Sequence, residues 1–313
     1  MKKTLKVTLC LLLVAMMLFS GCTKPSKDTT EQAIAETGAK KDSLVFSISS
    51  EPTSLDPAMT KDTITYLVGF QIFDTLFREE PDGTIAPALA EEYEFSENGL
   101  ELTMKIREGV KFHNGDVMTA DDVEYSINRA IASSYTSAFT STMDRMEKVD
   151  DTHVKLIMKE PYAAVLSCLC SANLGIVNKA AAEAAGDDFT KEPIGTGAYK
   201  FVSWSTGEKI EMERFDEYWR GTPAIKNLTF KIHTDKSTAA IALEKGEVDV
   251  LYYPSTSDRM NLMNLDNVTW KEGQAATLFY VAFNCRDGVF ANEKLRKRSE
   301  ERRVGKECRS RWS

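Results

Sequence analysis

The clearest alternation of apolar and polar residues lies at 100–106, where every second residue is apolar. This period of two predicts a strand with one buried face. The preceding residues, 96–99, predict a hairpin turn, because Gly99 can adopt a positive φ. The period changes at Thr119, which forms a Ser/Thr-x-x-acid helix start with Asp122, and apolar residues then recur at helical spacing. The pattern therefore predicts a strand, a glycine-bearing turn and a capped helix.

Hydrophobic patterns elsewhere predict a mixed α/β chain. The predicted strands are residues 44–49, 154–158, 228–232, 248–252 and 277–284. The predicted helices are residues 63–77, 161–168, 179–186 and 237–245, and 143–153 is predicted to be a loop. The 63–77 segment is apolar on several faces, which is typical of a helix buried on all sides. The strand, helix and strand within 228–252 predict a βαβ unit, so part of the sheet should be parallel.

The N-terminus has the pattern of a targeting segment. Lys2, Lys3 and Lys6 precede an apolar run at 9–19 that is too short for a typical membrane span. The following Leu-Phe-Ser-Gly-Cys, which ends at Cys22, resembles the lipobox of bacterial lipoproteins. The resemblance implies a lipid thioether on Cys22 as the mature N-terminus; the alternative is an ordinary secretory signal with a chance cysteine. The polar residues that follow predict a flexible tether.

Charge and cysteine content exclude other classes. The net charge is −8, and the basic residues at both ends leave the body more acidic than this total. An acidic body repels phosphate backbones, so no nucleic-acid partner is expected. Cys168 and Cys170 are too close for an unstrained disulfide, and no Cys/His spacing matches a zinc site. Together with Cys285 they are predicted to be buried free thiols.

Two ordered strings carry a family resemblance. Phe-His-Asn-Gly-Asp at 112–116 and Thr-Ala-Asp-Asp-Val at 119–123 follow the predicted strand. They resemble the signature of the family-5 extracellular solute-binding proteins, which are the oligopeptide, dipeptide or nickel receptors of ABC importers. Three further strings resemble landmarks of that family, at 52–57, 193–199 and 214–219. The glycines at 195 and 197 also suggest a phosphate loop, but the third glycine and a preceding strand are absent.

The resemblance implies an α/β fold of the periplasmic-binding-protein type (class C, a two-lobed clamshell). This chain would hold the first lobe with its inserted subdomain and lack most of the second lobe. The implied divisions are 1–21 (signal peptide), 22–42 (tether), 43–85 plus 190–285 (first lobe), 86–189 (inserted subdomain), 286–297 (start of the second lobe) and 298–313 (a non-native tail).

The resemblance also implies a function. A receptor of this family closes two lobes around a ligand and delivers it to the ABC permease, and it acts as a monomer without a cofactor or metal. Peptides are the expected ligand, captured on the outer face of the cytoplasmic membrane. The implied ligand contacts are Thr60, Lys61, Asp62 and Thr63 of the first lobe, with Tyr135 and Phe139 beyond the capped helix as aromatic walls; the alternative is that these are ordinary loop and core residues. Nickel, haem or another small solute is the other ligand class, although His113, His153 and His233 lack metal-ligand spacing.

The last sixteen residues, 298–313, differ in composition from the rest of the chain. Residues 298–313 lack apolar periodicity and are rich in arginine, and they look like a translated sequencing adapter. The alternative is a genuine basic tail that binds acidic partners. On the adapter interpretation the native protein is longer, and this fragment should bind ligand weakly or not at all. An exported hydrolase is the competing class, but Gly-x-Ser-x-Gly and His-Glu-x-x-His do not occur, and Asp121 and Asp122 suit a helix N-terminus.

Overall fold

The part of the chain that the structure describes contains two main sheets, each packed against helices, and a separate two-stranded sheet. The structure is a computed structural model that describes residues 41–273 and 282–298. The predicted signal peptide with Cys22, most of the predicted tether, residues 277–281 of the last predicted strand and most of the predicted tail lie outside these residues. Residues 282–284 have no regular secondary structure.

The strands and helices follow in chain order. The strands are β1 (Ser43–Ile48), β2 (Phe77–Glu79), β3 (Ile85–Pro87), β4 (Ala90–Phe95), β5 (Glu101–Ile106), β6 (Met143–Lys148), β7 (His153–Met158), β8 (Tyr199–Ser205), β9 (Lys209–Arg214), β10 (Asn227–Ile232) and β11 (Val250–Leu251). The α-helices are α1 (Thr63–Ile72), α2 (Ala120–Ala132), α3 (Ser137–Thr140), α4 (Val165–Cys168), α5 (Lys179–Ala185), α6 (Lys236–Glu244) and α7 (Thr256–Met263). Short 3-10 turns lie at Pro57–Met59, Ala172–Leu174, Gly186–Thr190 and Val289–Ala291.

The larger sheet has five strands in the order β11-β1-β10-β9-β8. Strands β10 and β11 lie on either side of β1 and both run parallel to it, so α6 crosses over β1 as in a βαβ unit. The parallel part predicted from 228–252 is therefore confirmed. Strands β9 and β8 extend the sheet as an antiparallel hairpin, which the sequence pattern did not predict.

The smaller sheet has four antiparallel strands in the order β4-β5-β7-β6. Strand β5 alternates between buried and half-buried residues, as its period of two predicts. Gly99 has a φ of 67° in the hairpin turn before it. The capping box of α2 is also present. The Asp122 carboxylate accepts from the Thr119 N–H at 2.9 Å, and the Thr119 hydroxyl donates to the same carboxylate at 2.7 Å. This central stretch therefore folds as its pattern predicts.

Each sheet has its own group of buried apolar residues. Ile48, Val68 and Phe230 belong to the group under the five-stranded sheet, where α1 packs. Leu102 and Ile127 belong to the group between the four-stranded sheet and α2. The half-buried Ile194 packs against both groups, so the segment that returns from one sheet to the other contributes to both cores.

The predicted helix at 63–77 was wrong in its length and its burial. Helix α1 ends at Ile72, and the Ile72 carbonyl accepts a hydrogen bond from the Gly197 N–H at 2.8 Å. The chain then turns into β2, which begins at Phe77. Phe70 is 50% exposed, so one face of the helix is open to solvent. A neighbour distant in sequence ends this helix, and no local stop signal marks that point.

Three smaller predictions also need correction. The predicted loop at 143–153 contains β6, whose buried residues Met143 and Met146 are three apart because a bulge breaks the alternation. The helix predicted at 161–168 is only α4, which begins at Val165. Cys168 and Cys170 are free and buried as predicted, but the free Cys285 is exposed. Among the described helices, none has both the length and the apolar character needed to cross a bilayer.

Candidate functional site

The loop at residues 51–62 (the 51–62 loop) joins the carboxyl end of β1 to α1 and carries three of the six predicted contact residues, Thr60, Lys61 and Asp62. Its first residue is held by the β8–β9 hairpin, because the Glu51 carboxylate accepts from the Trp204 indole at 2.7 Å and the Gly207 N–H at 3.0 Å. Its last residue, Asp62, caps α1 by accepting from the Thr65 N–H at 2.7 Å. Both ends of the loop are therefore attached to regular structure.

The centre of the 51–62 loop is held by a buried ion pair. Asp56 is only 1% exposed, and both of its carboxylate oxygens accept from the guanidinium of Arg129, which lies near the end of α2. One of these hydrogen bonds, to Arg129 Nη1, is 2.7 Å long. The same carboxylate accepts from the Ala58 N–H at 3.0 Å. A two-bond contact of this kind fixes both position and orientation.

Side chains from outside also bind the carbonyls of the loop. The Asn173 amide donates to the Pro57 carbonyl at 2.8 Å and to the Thr60 carbonyl at 2.9 Å. The Ser133 hydroxyl donates to the Ala58 carbonyl at 2.6 Å. These donors lie just after α2, between β5 and β6, and in the 3-10 turn Ala172–Leu174, so the loop rests on one segment within the four-stranded unit and on one that follows it.

The Asp62 carboxylate accepts hydrogen bonds from several residues close to it in the sequence. Its Oδ2 atom accepts from the hydroxyls of Thr53 at 2.6 Å, Thr65 at 2.6 Å and Thr60 at 3.0 Å. Burial acts to raise the pKa of Asp62, but these hydroxyl hydrogen bonds and the Thr65 N–H outweigh it, and the pKa is lowered. The carboxylate stays charged and holds the loop closed on itself, and the Thr60 side chain is buried within this network.

Lys61 and Tyr135 are brought together at the surface. The ammonium of Lys61 lies 5.4 Å from the centroid of the Tyr135 ring, which is 43% exposed. The Tyr135 N–H donates to the Ser133 hydroxyl at 3.2 Å, so the same serine that holds the loop also positions the tyrosine. Thr63 is exposed at the start of α1, whereas Phe139 is half-buried against the core of the four-stranded sheet. Ligand contact by these residues, and by Thr60 and Asp62, stays a prediction.

His113 connects two of the family landmarks. Its Nδ1 atom accepts from the Gly195 N–H at 3.4 Å, so Nε2 carries the proton and donates to the Gly197 carbonyl at 3.0 Å. Burial lowers the pKa of His113 to about 4, with a smaller contribution from the charge of Lys200, although the Gly197 carbonyl opposes the shift. This imidazole is a neutral structural link between the 112–116 turn and the 193–199 segment.

Asp74 binds residues of two landmark strings, 193–199 and 214–219. It accepts from the Tyr218 hydroxyl at 2.9 Å, the Trp219 indole at 2.8 Å and the Thr196 hydroxyl at 3.2 Å. Burial raises the pKa of Asp74 in spite of these three donors. The same burial, together with the charge of Asp74, raises the pKa of Tyr218. The carboxylate thus ties the 214–219 string to the segment that follows α1.

The described residues offer no arrangement for a metal. Within 41–273 and 282–298, no group of three or more His, Cys, Asp or Glu side chains lies close enough to hold an ion. The residues that sequence reasoning missed are Asp56, Arg129, Asn173 and Glu51. Asp56 lies in the 52–57 string and Arg129 lies beyond the 119–123 string, and their pairing across 73 residues has no local signal.

Known proteins resemble this chain in sequence and in fold. The family model described as "Bacterial extracellular solute-binding proteins, family 5 Middle" matches residues 84–297. The glutathione-binding protein GsiB of Pectobacterium atrosepticum is 29% identical over 262 residues, which are 82% of this chain and 51% of that protein. The chain therefore spans about half the length of the curated relatives it matches.

Two solved structures show the fold. The periplasmic binding protein DppA of Helicobacter pylori, in complex with the peptide STSA, matches with a TM-score of 0.66 and 27% identity over 72% of this chain and 49% of that chain. A nickel ABC transporter structure from Bacillus halodurans matches with a TM-score of 0.64 and 33% identity over 72% and 46%. The predicted α/β periplasmic-binding-protein-like fold, of which this chain covers a part, is confirmed. The chain belongs to the family-5 bacterial extracellular solute-binding proteins.

Proposed function

We propose that the chain is part of a peptide-binding lipoprotein that serves an ABC importer. The observation that carries the proposal is the match in fold to an ABC transporter-associated protein solved with a bound peptide. The 51–62 loop supports it, since Arg129, Asn173 and Ser133 hold the loop in place. Lys61 of the loop and the neighbouring Tyr135 are exposed to solvent. Backbone-directed hydrogen bonds and water-filled pockets would allow such a surface to accept peptides of varied sequence.

The complete receptor would act without performing a reaction. Peptide binds between two lobes, the lobes close about a hinge, and the permease recognises the closed form. The protein would be a monomer on the outer face of the membrane, anchored through a lipid on Cys22. The division into a first lobe (43–85 plus 190–285) and an inserted subdomain (86–189) belongs to this proposal.

The residues around the 51–62 loop would have different roles. Lys61 and Tyr135 would contact the ligand, the lysine through its charge and the tyrosine through its ring. Thr60 and Asp62 would hold the loop in shape, with Thr63 at its rim. Phe139, which packs against the core, would support the wall that carries Tyr135.

Thermal unfolding of the complete receptor, read from genomic DNA through the native stop codon, tests the proposal. Pools of dipeptides, tripeptides and tetrapeptides are added separately, with glutathione and nickel as further arms. A pool at about 100 times its dissociation constant should stabilise the folded state by about 2.7 kcal/mol and raise the melting temperature. A shift with nickel alone would contradict peptide binding, as would the absence of a shift with every peptide pool.

Substitution of the exposed pair tests its contact with the ligand. Tyr135→Ala and Lys61→Ala should each weaken binding of the stabilising pool by about tenfold, since each removes one contact of roughly 1.4 kcal/mol. Tyr162→Ala is a matched control, because Tyr162 is 40% exposed and Tyr135 is 43% exposed. If calorimetry gives the same affinity for that pool in all three variants, Lys61 and Tyr135 do not contact the ligand.

A further inference from the structure

The ion pair between Asp56 and Arg129 connects two parts of the chain that are 73 residues apart in the sequence. Asp56 lies in the proline-rich string at 52–57, and Arg129 lies near the end of α2, the helix that begins with the Thr119 capping box. The carboxylate side chain is 1% exposed and the guanidinium side chain is 25% exposed. The 51–62 loop, which carries Lys61, is therefore anchored at its centre by one side chain of α2.

The surroundings of the pair shield its carboxylate from water, while part of the Arg129 side chain stays exposed. The Arg129 guanidinium lies 5.8 Å from the centroid of the Phe189 ring, and that ring is fully buried. The next residue, Thr190, accepts the Leu55 N–H through its carbonyl at 3.0 Å. A buried carboxylate that loses its cationic partner must gain water or change position. Without Arg129, the loop would have to move to expose Asp56.

We propose that Arg129 is a positioning residue that sets the 51–62 loop in its binding shape before the ligand arrives. This inference rests on the proposed function, because it assigns the loop to ligand capture. Asn173 and Ser133 contribute to the same task, since they take up loop carbonyls that would otherwise require water. A loop ordered in advance loses less conformational entropy on binding, so the receptor binds more tightly with no additional contact to the ligand.

The role differs from general stabilisation in a measurable way. If the loop is competent for only a fraction of the time, the apparent dissociation constant rises by the inverse of that fraction. Weakened anchoring should therefore raise the amide exchange rate of the loop and the apparent dissociation constant by similar factors. Loss of an ion pair elsewhere should lower the melting temperature but leave both quantities unchanged.

The chain offers a matched control in Arg107. Its guanidinium binds Glu91 at 2.9 Å and the Ala88 carbonyl at 3.2 Å, and it lies 4.7 Å from the centroid of the Trp219 ring. Like Arg129, Arg107 therefore binds a carboxylate and lies close to an aromatic ring. Arg107→Lys and Arg129→Lys make the same chemical change, and lysine cannot reproduce a two-bond contact.

The first measurement is hydrogen exchange of the ligand-free complete receptor. In Arg129→Lys and Asn173→Ala, the Leu55 and Ala58 amides should exchange about tenfold faster than in the wild type or more. In Arg107→Lys they should exchange at the wild-type rate. Unchanged exchange in Arg129→Lys, or equal acceleration in Arg107→Lys, would overturn the assignment.

The second measurement is calorimetric affinity for the peptide Ser-Thr-Ser-Ala. Arg129→Lys should bind about tenfold more weakly than Arg107→Lys, a difference that matches its faster loop exchange. Faster exchange with unchanged affinity would overturn the role in ligand binding. If the wild type does not bind this peptide, the comparison is made with the peptide pool that stabilises the receptor. If no pool binds but the exchange result holds, the proposed ligand class fails and the anchoring of the loop by Arg129 stands.

Discussion

Replacing Gly197 with alanine is expected to destabilise the folded state by about 3 kcal/mol or more. A Cβ atom at this position would lie 2.5 Å from the Gln71 carbonyl oxygen and 2.7 Å from the Ile72 carbonyl oxygen. These are backbone atoms at the end of α1, and they cannot rotate away as a flexible side chain can. Overpacking against side chains costs about 1–3 kcal/mol, and backbone overlap should exceed that range.

The same helix supplies the control. Gly69 lies within α1, and a Cβ there would meet nothing within 4 Å. Gly69→Ala should therefore stabilise the protein by about 0.5–1 kcal/mol, because alanine favours a helix interior more than glycine does. Urea unfolding of both variants of the complete receptor measures the difference. A Gly197→Ala protein as stable as the wild type would show that the segment does not pack closely on α1.

The second large effect is a loss of stability between pH 6.5 and about 4 through His113. Burial lowers the folded-state pKa of His113 to about 4, whereas the unfolded chain titrates near 6.5. As the pH falls through this interval, the unfolded chain binds a proton that the folded chain does not. The folded state should therefore lose about 2–3 kcal/mol by pH 4, and the contribution is fully present above pH 6.5.

A variant without the imidazole separates this effect from other titrations. His113→Gln should be less stable at pH 7, but its free energy of unfolding should fall less steeply between pH 6.5 and 4. His233, whose pKa is also lowered, chiefly by burial and the charge of Lys231, is present in both proteins and so cancels in the comparison. Equal slopes in urea titrations of the two proteins would contradict the role of His113.

The elements that the sequence predicted well are those whose signals are local. The hairpin before β5, the capping box of α2 and the helix α5 depend on residues within a few positions of one another. The parallel sheet followed from a strand, a helix and a strand in close succession. Where one bulge broke the alternation, in β6, the prediction failed.

The contacts that shape the candidate site could not be predicted in this way. Asp56 meets Arg129, His113 meets Gly197 and Asp74 meets Trp219 across 73, 84 and 145 residues. Each pair joins a string that resembles the family to another part of the chain. Asp56, His113, Gly197 and Trp219 lie in such strings, whereas Arg129 and Asp74 do not, and only the fold shows which residues meet. The glycines at 195 and 197, which also suggested a phosphate loop, allow close approach to α1.

Lys61 and Tyr135, the exposed pair at the 51–62 loop, are also brought together only by the fold. Lys61 lies in the loop and Tyr135 lies after α2, and they meet because Ser133 binds both the loop and the tyrosine backbone. The sequence predicted both residues as contacts from the family resemblance alone. The structure adds that Thr60 and Asp62, predicted on the same basis, have their side chains engaged within the loop.

The central claim is that the complete protein captures peptides and releases them unchanged. Native mass spectrometry of the receptor, incubated with a defined mixture of dipeptides to tetrapeptides, tests it most directly. We expect one intact peptide per protein molecule and an unchanged peptide mixture in solution after prolonged incubation. Cleaved peptides in solution, or a receptor that carries no peptide at saturating concentration, would contradict the claim.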